Sequence, residues 1–291
     1  MNKPSFCQFI WGLLQLTKPI ITLSVALTAL TGYLLCKGYF SEDWLRTVIG
    51  VYLLSAGSAV INHLQEAIPD SKMTRTLNRP IPSGKISPAI AAIFSGLLIV
   101  CGIILLWLLP QKTPLLLGIF TLVWYNAVYT WLKRIIAFAV VPGSLVGALP
   151  PVIGYTAAGC SIIAPQILLV AFFFFIGQIP HFWLIMLRHG KDYENAGFPT
   201  ITRIFSNQQI INLTFFWVAA TAMAAILTAL FGVIQNKWLV LCVFALALAL
   251  IVVFGKLQRQ AGKADSKISF FIINIYYLLM MLVLITDALL K

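Results

Sequence analysis

Nine apolar segments, each long enough to cross a membrane as a helix, occupy most of the 291-residue chain. A helix needs about 20 apolar residues to cross the hydrocarbon core of a bilayer. Since 60% of the residues are hydrophobic and 10% are charged, little is left for a water-soluble module. The sequence therefore predicts an all-α polytopic membrane protein, a single transmembrane domain over residues 1–291. The predicted spans are 20–38, 45–66, 89–109, 114–132, 135–157, 164–187, 209–233, 237–254 and 268–288.

The positions of the basic residues predict how the bundle lies in the membrane. With nine spans and a cytoplasmic N-terminus, fifteen of the twenty Lys and Arg residues fall on the cytoplasmic side. Cytoplasmic loops are enriched in these residues, so the C-terminus is expected on the opposite side, and a bacterial inner membrane is the expected location. The net charge of +12 is spread over short loops, so it reflects topology and does not indicate a nucleic-acid partner.

The fifth span is interrupted by Pro142, Pro150 and Pro151. Proline frees backbone carbonyl groups, and such backbone is tolerated at membrane depth where it is buried or lines a cavity. We therefore expect the helices to enclose a central cavity that opens on the cytoplasmic side.

Charge is concentrated in two predicted cytoplasmic loops, 67–88 and 188–208, which follow the second and sixth spans. Asn62, Glu66 and Asp70 recur every four residues, a spacing that puts them on one face of a helix. Acids at the edge of a bilayer are costly, so their presence indicates a function. Because Mg²⁺ takes one or two carboxylates together with water and phosphate oxygens, the motif predicts a site for this ion.

Basic residues surround this acidic motif on the same predicted side of the membrane. Arg binds phosphate oxygens through paired N–H groups, and Lys binds them as a point charge. We therefore expect a diphosphate ligand, with Asp192 as the acid that binds metal from the opposite wall. The alternative is a solvated helix end held by salt bridges. The predicted diphosphate-binding residues are Lys72, Arg75, Arg79, Lys133 and Arg134.

The cysteines are scattered, with neither a CxxC pair nor the spacing of a metal site. We expect them to act as small apolar residues within or near the helices. They are Cys7, Cys36, Cys101, Cys160 and Cys242.

The charged motif resembles the signature of the intramembrane aromatic prenyltransferase superfamily. Its matching residues are Asn62, Glu66, Asp70, Met73, Arg75, Thr76, Arg79, Pro80 and Gly84. Three further stretches resemble the branch of protoheme IX farnesyltransferases: 129–134, 147–155 and 180–199. The chain departs from this pattern at Pro69, where a bulky apolar residue is expected, and at Ala139, where asparagine is usual.

The resemblance implies a nine-helix bundle that transfers a farnesyl group from farnesyl diphosphate to a vinyl group of heme b, giving heme O and diphosphate. It implies Mg²⁺ held by Glu66, Asp70 and Asp192, with Asn62 assisting. Implied downstream partners are heme A synthase and a heme-copper oxidase. Histidines in such helices more often pack than bind a ligand, and the candidate heme contacts are His63 and His181.

The sequence leaves three other functions open. One is prenyl transfer to a quinone-type aromatic acceptor. Another is secondary transport of an anionic solute, which broken helices and intramembrane charge would permit. The third is a non-catalytic heme or lipid chaperone. Transport sites usually lie near the bilayer midplane, whereas the charge here gathers at one surface, so we favour the enzyme.

Overall fold

The computed structural model describes residues 5–260 and 266–291. Nine of the helical segments in these ranges are long and apolar enough to cross a membrane, which confirms the predicted class of fold. The fourth of these crossings combines α6, a π-helical turn at Trp124–Tyr129 and α7. The helices are α1 (Phe6–Leu16), α2 (Pro19–Lys37), α3 (Trp44–Gln65), α4 (Ala67–Ser71), α5 (Pro88–Trp107), α6 (Thr113–Val123), α7 (Thr130–Leu132), α8 (Val140–Ala157), α9 (Pro165–Asn195), α10 (Asn207–Leu230), α11 (Lys237–Gln260) and α12 (Ser266–Leu290).

Helix α1 was not expected from hydropathy, because its 11 residues are too few to cross a bilayer. Its start is fixed by Ser5 and Gln8, whose side chains each accept a hydrogen bond from the other residue's backbone N–H. A Cβ on Gly12 would lie 3.1 Å from Cγ1 of Ile86, so α1 packs closely against the segment that precedes α5. Helix α1 thus packs against the charged end of the bundle.

The predicted end of the sixth span is wrong. Helix α9 continues past residue 187 to Asn195, so Asp192 lies on a helix and not in the loop 188–208. Hydropathy shows where apolar side chains stop, but the backbone stays helical until Gly197, whose φ of 86° favours glycine. The N–H groups of Gly197 and Phe198 then close the helix on the carbonyls of Glu194 and Tyr193.

Helices α2 and α8 cross at a distance that only glycine allows. A Cβ on Gly32 would lie 1.8 Å from the carbonyl oxygen of Pro151, and one on Gly154 would lie 1.8 Å from that of Ala29. Small residues permit such close approach of helices in membranes. The crossing fixes two of the four helices that surround the cavity described below.

Two cysteines form a disulfide, so the expectation that all five act as apolar residues is wrong for this pair. Cys36 at the end of α2 is bonded to Cys160, which lies between α8 and α9, with their Cα atoms 6.0 Å apart. Their separation of 124 residues gives no sequence signal, and the pairing follows from the contact of α2 with α8. The bond lies at the end of the bundle opposite to the charged motif.

Candidate active site

The charged motif begins where α3 breaks. Helix α3 ends at Gln65, and Glu66 leaves the helical conformation with φ −101° and ψ 6° before α4 starts. Pro69 is the third residue of α4, where the backbone N–H has no partner within a helix, so proline is tolerated there. The helix therefore breaks at Glu66, before Pro69, and Asp70 lies beyond the break, in α4.

Asp70 is almost completely buried, with 1% of its surface exposed. Its Oδ2 accepts a hydrogen bond of 2.6 Å from Arg79, and His63 Nδ1 lies 4.0 Å from the same atom. Its Oδ1 is buried and has no hydrogen-bond partner among the described residues. A buried carboxylate oxygen without a partner is costly, which is typical of a site that takes a ligand.

Glu66 forms an ion pair with Lys133, and both side chains are mostly buried. Burial alone would raise the pKa of this carboxyl, but the charge and hydrogen bond of Lys133 lower it on balance. The ammonium of Lys133 also lies 5.4 Å from the ring centroid of Tyr129. The ion pair with Lys133 therefore favours the carboxylate form of Glu66.

Lys18 belongs to the same cluster, although by sequence it counts only among the fifteen bases that indicate topology. Its Nζ donates a hydrogen bond of 2.9 Å to Oδ1 of Asn62. Its φ of 51° is the one positive value of a non-glycine residue within the described ranges, which is a strained backbone conformation. Burial lowers the pKa of this amine to about 8, with a further contribution from Arg79. The available sequence signal was the stretch Leu16-Thr17-Lys18-Pro19, which resembles the same branch of prenyltransferases as the other matching stretches.

A polar network holds Asn62 in place. Its Nδ2 donates to Thr130 Oγ1 over 3.3 Å, and one turn earlier Ser58 shares two hydrogen bonds with Asn126. Asn126 lies in the π-helical turn, a feature frequent at functional sites because it redirects side chains. The same turn presents Tyr125 and Tyr129 as stacked rings 5.6 Å apart.

The second wall of the site is the end of α9. Both carboxylate oxygens of Asp192 accept from Thr74 Oγ1, at 3.1 and 3.2 Å. Arg75 donates to the hydroxyl of Tyr193 over 3.3 Å. These contacts join the segment after α4 to α9. Among the described residues, however, no group of three or more His, Cys, Asp or Glu side chains is close enough to hold one metal ion.

The remaining predicted site residues lie in different surroundings. Arg134 donates to the carbonyl of Gln65 over 2.6 Å and lies over the ring of Trp131, so it caps the end of α3. The side chain of Lys72 is exposed. The ring of His181 packs against Phe270, with centroids 4.5 Å apart. Of the two candidate heme contacts, His63 therefore lies beside the acids and His181 lies in a helix contact.

An apolar cavity extends from the charged cluster into the bundle, between α2, α3, α6 and α8. Lys18, Ser58 and Tyr125 line its charged end, so the cavity meets the charged cluster at Lys18, which bonds Asn62. The remaining lining is mostly apolar, apart from Thr22, Ser55 and Thr121. It includes Ile21, Val25, Val51, Leu54, Gly118, Leu122, Val146 and Ile153. The arrangement suits a ligand with an anionic head and a hydrocarbon tail.

The donors at this end fit a hard divalent cation. Glu66, Asp70 and Asn62 offer oxygen atoms, and the unpartnered Oδ1 of Asp70 marks a coordination position. A metal held there would lie beside the ammonium of Lys18 and the guanidinium of Arg79, which are placed for phosphate oxygens.

Buried acids and bases at the end of an apolar cavity define an intramembrane site for a ligand with an anionic head and a hydrocarbon tail. The chain belongs to the UbiA prenyltransferase family, whose sequence profile matches residues 25–275. This confirms the superfamily and the enzyme class inferred from the motif. Since the family consists of prenyltransferases, it favours the enzyme over the transporter.

Relatives share much of the chain. The protoheme IX farnesyltransferase of Oleidesulfovibrio alaskensis is 32% identical over 265 residues, which cover 91% of this chain and 92% of that protein. The protoheme IX farnesyltransferase of Geobacter sulfurreducens is 37% identical over 224 residues, 77% of this chain and 83% of that protein.

A solved structure shares the fold. The UbiA homologue of Archaeoglobus fulgidus, bound to GPP and Mg²⁺, superposes with a TM-score of 0.73 at 15% identity and covers 95% of this chain and 99% of its own. Divalent metal and prenyl diphosphate therefore bind together in a protein of this fold.

Proposed function

We propose that this protein transfers the farnesyl group of farnesyl diphosphate to a vinyl group of heme b, which gives heme O and diphosphate. The observation that carries the proposal is the cluster of buried acids and bases at the mouth of an apolar cavity. Relatives that match most of the chain are named for this reaction.

The diphosphate would lie at the charged end. Lys18, Arg79 and Lys133 each have an amide or carboxylate partner, which the phosphate oxygens replace without leaving a cation unpaired. Arg75, Lys72 and Arg134 are the outer bases proposed for the same ligand. One Mg²⁺ would be held by Glu66 and Asp70 with Asn62 assisting, and a second by Asp192 on the opposite wall. Together they would neutralise the charge that develops on the leaving diphosphate.

The prenyl group would react at the top of the cavity. When the allylic C–O bond breaks, its electron pair leaves with the diphosphate and the cation remains beside Tyr125. The faces of Tyr125 and Tyr129 attract a cation through the ring quadrupole. The vinyl group of heme b supplies the electrons of the new C–C bond. Water then adds to the resulting cation and releases a proton, so the apolar lining must exclude water until this stage.

The charged end and the N-terminus are proposed to face the cytoplasm of a bacterial cell, with the C-terminus opposite. The bias of the basic residues supports this orientation. The Cys36–Cys160 disulfide also supports it, because disulfides persist in the oxidising compartment outside the inner membrane. Heme O would pass to heme A synthase and then serve a heme-copper oxidase.

Substitution of Asp70 tests the proposed site. In the purified protein, Asp70→Asn should lower Mg²⁺-dependent diphosphate release from farnesyl diphosphate and heme b by at least about 100-fold. The matched control is Asp43→Asn, which removes a carboxylate paired with Arg46 at the start of α3, away from the site. Full activity of Asp70→Asn would contradict the metal-binding role.

The acceptor is tested separately. Heme b and a quinone-type aromatic acceptor should be offered together with farnesyl diphosphate, and the products identified by mass. We expect the mass of heme O. A prenylated aromatic product alone would replace heme as the acceptor while leaving the enzyme class intact.

A further inference from the structure

The apolar cavity has a closed deep end. Its lining on α3 runs from Ala59 near the charged end to Val51, eight residues further into the bundle. At a rise of 1.5 Å per residue, this corresponds to a depth of about 12 Å. Val51 and Leu54 are 3% and 5% exposed and belong to a buried core of the bundle, as does Ile153 on the facing helix α8. These three side chains form the floor of the cavity.

Gly118 on α6 controls where Leu54 lies. A Cβ on Gly118 would be 2.9 Å from Cδ1 of Leu54 and 3.0 Å from Cδ1 of Leu106. Helix α6 therefore leaves space for Leu54 by having no side chain at this position. Because Gly118 also lines the cavity, any side chain there would shorten it, either by filling the deep end or by displacing Leu54.

The cavity is open at the other end. Ile21 lines it near Lys18 and is 60% exposed, in contrast to the buried floor residues. A prenyl chain can therefore enter from the lipid at the charged end. A chain too long for the cavity cannot extend past the floor, so its reactive carbon would be displaced from Lys18.

The depth of the cavity matches a limited number of isoprene units. Each unit adds four C–C bonds of about 1.5 Å, which extend to roughly 5 Å along a zigzag chain. Two units therefore reach roughly 10 Å and leave the floor uncovered, whereas four reach roughly 20 Å. The reactive carbon would lie beside Lys18, which bonds Asn62, and Asn62 is eleven residues or about 16 Å along α3 from Val51. Three units of roughly 15 Å match this distance.

We propose that Leu54 and Gly118 determine the prenyl chain length: Leu54 is part of the floor beneath the third isoprene unit, and Gly118 fixes the position of Leu54. This inference rests on the proposed function. It predicts opposite effects at the two positions, since truncation of Leu54 deepens the cavity and a side chain at Gly118 shortens it.

A competition experiment tests the inference. The purified protein is given heme b and equal amounts of geranyl, farnesyl and geranylgeranyl diphosphates, and the prenylated hemes are separated by mass. The wild type should attach farnesyl. Leu54→Ala should raise the ratio of geranylgeranyl to farnesyl product at least tenfold, and Gly118→Ala should raise that of geranyl to farnesyl at least tenfold.

Matched variants separate cavity length from general damage. Leu34→Ala truncates the same residue type in the same core, outside the cavity wall, and should leave both ratios unchanged. Gly96→Ala adds a methyl group where no atom of the described residues lies within 4 Å. If Leu54→Ala does not fold, Leu54→Val and Gly118→Ala carry the test.

The outcomes distinguish the two proposals. A wild type that prenylates no heme would overturn the proposed function. A wild type that farnesylates heme but uses geranylgeranyl diphosphate equally well would overturn only the role of the floor. Unchanged ratios in the Leu54 and Gly118 variants, or an equal shift in Leu34→Ala, would also overturn it.

Discussion

The two ends of the bundle use buried charge in opposite ways. At the charged end, cations and acids crowd together, Lys18 has a strained backbone, and Asp70 Oδ1 has no hydrogen-bond partner in the described part of the chain. At the opposite end, Asp287 accepts two backbone hydrogen bonds, from Gln235 and Asn236, and pairs with Lys291 at 3.0 Å. The first arrangement is poised for a ligand, and the second stabilises the fold.

This difference predicts that substitutions will separate activity from stability. Natural proteins commonly keep strained or unsatisfied groups where function needs them and compensate elsewhere. Changes at the charged end should therefore reduce the rate more than the stability. Changes at the opposite end should reduce the stability more than the rate.

Among the substitutions that compare the two ends, replacement of Lys18 should have the largest effect. Lys18→Gln removes a cation beside the leaving diphosphate but keeps a hydrogen-bond donor, so we expect kcat for heme O formation to fall about 100-fold. The melting temperature should change little, because the buried amine contributes little net stability where its charge is desolvated. Steady-state kinetics and thermal unfolding of the purified protein measure both quantities.

The pH dependence of the rate tests whether the charge of Lys18 is the cause of this effect. A pKa of about 8 means that the amine of Lys18 is charged below that pH and neutral above it, so the wild-type rate should fall as pH rises through 8. Lys18→Arg keeps the charge throughout this range and should abolish the decline. A decline that persists in Lys18→Arg would assign it to another group.

Loss of the disulfide should have the second-largest effect. Cys36→Ser with Cys160→Ser should destabilise the protein by about 2 kcal/mol, because the bond restricts the unfolded chain. Activity at moderate temperature should stay within twofold of the wild type, since the bond lies at the far end from Lys18. Thermal unfolding and product formation are the measurements, and Cys7→Ser with Cys242→Ser is the control. A loss of activity without a loss of stability would contradict the comparison.

Sequence alone predicted the spans and the acids because both depend on local chemistry. Apolar runs of about 20 residues identify membrane helices, and the four-residue spacing identifies the acidic face. Hydropathy placed Asp192 in a loop, which is wrong, because the helix continues beyond its apolar residues until Gly197 ends it. The end of a helix is decided by backbone hydrogen bonds, which composition does not report.

Contacts between residues that are distant in sequence were the other feature that the sequence did not predict. Lys18 looked like an ordinary basic residue before a span, and its distance of 2.9 Å to Asn62 depends on how α2 packs against α3. The Cys36–Cys160 bond depends likewise on the crossing of α2 with α8. The roles of the predicted metal and diphosphate ligands stay predictions, and Arg134 shows why: its guanidinium caps a helix carbonyl.

Asp287 offers the counterpart to Lys18 at the opposite end. Asp287→Asn keeps the acceptor for the backbone N–H groups that precede α11 but removes the ion pair with Lys291. We expect a loss of about 1 kcal/mol in the free energy of unfolding, with heme O formation by the folded protein unchanged. Lys291→Gln should cost a similar amount. If the two losses add fully in the double variant, the ion pair is not their cause.

The smallest effect is expected where the two walls of the charged end meet. Thr74→Val removes the hydroxyl that donates to Asp192 and preserves the shape of the side chain. A hydrogen bond with a net contribution of about 0.5–1 kcal/mol corresponds to about a two- to fivefold change in affinity. This change should appear as a higher half-saturating Mg²⁺ concentration. Ser71→Ala, which removes a hydroxyl bonded only within its own wall, is the control. An unchanged Mg²⁺ dependence in Thr74→Val would mean that Asp192 keeps its position without this contact, and the site would then be rigid on both walls.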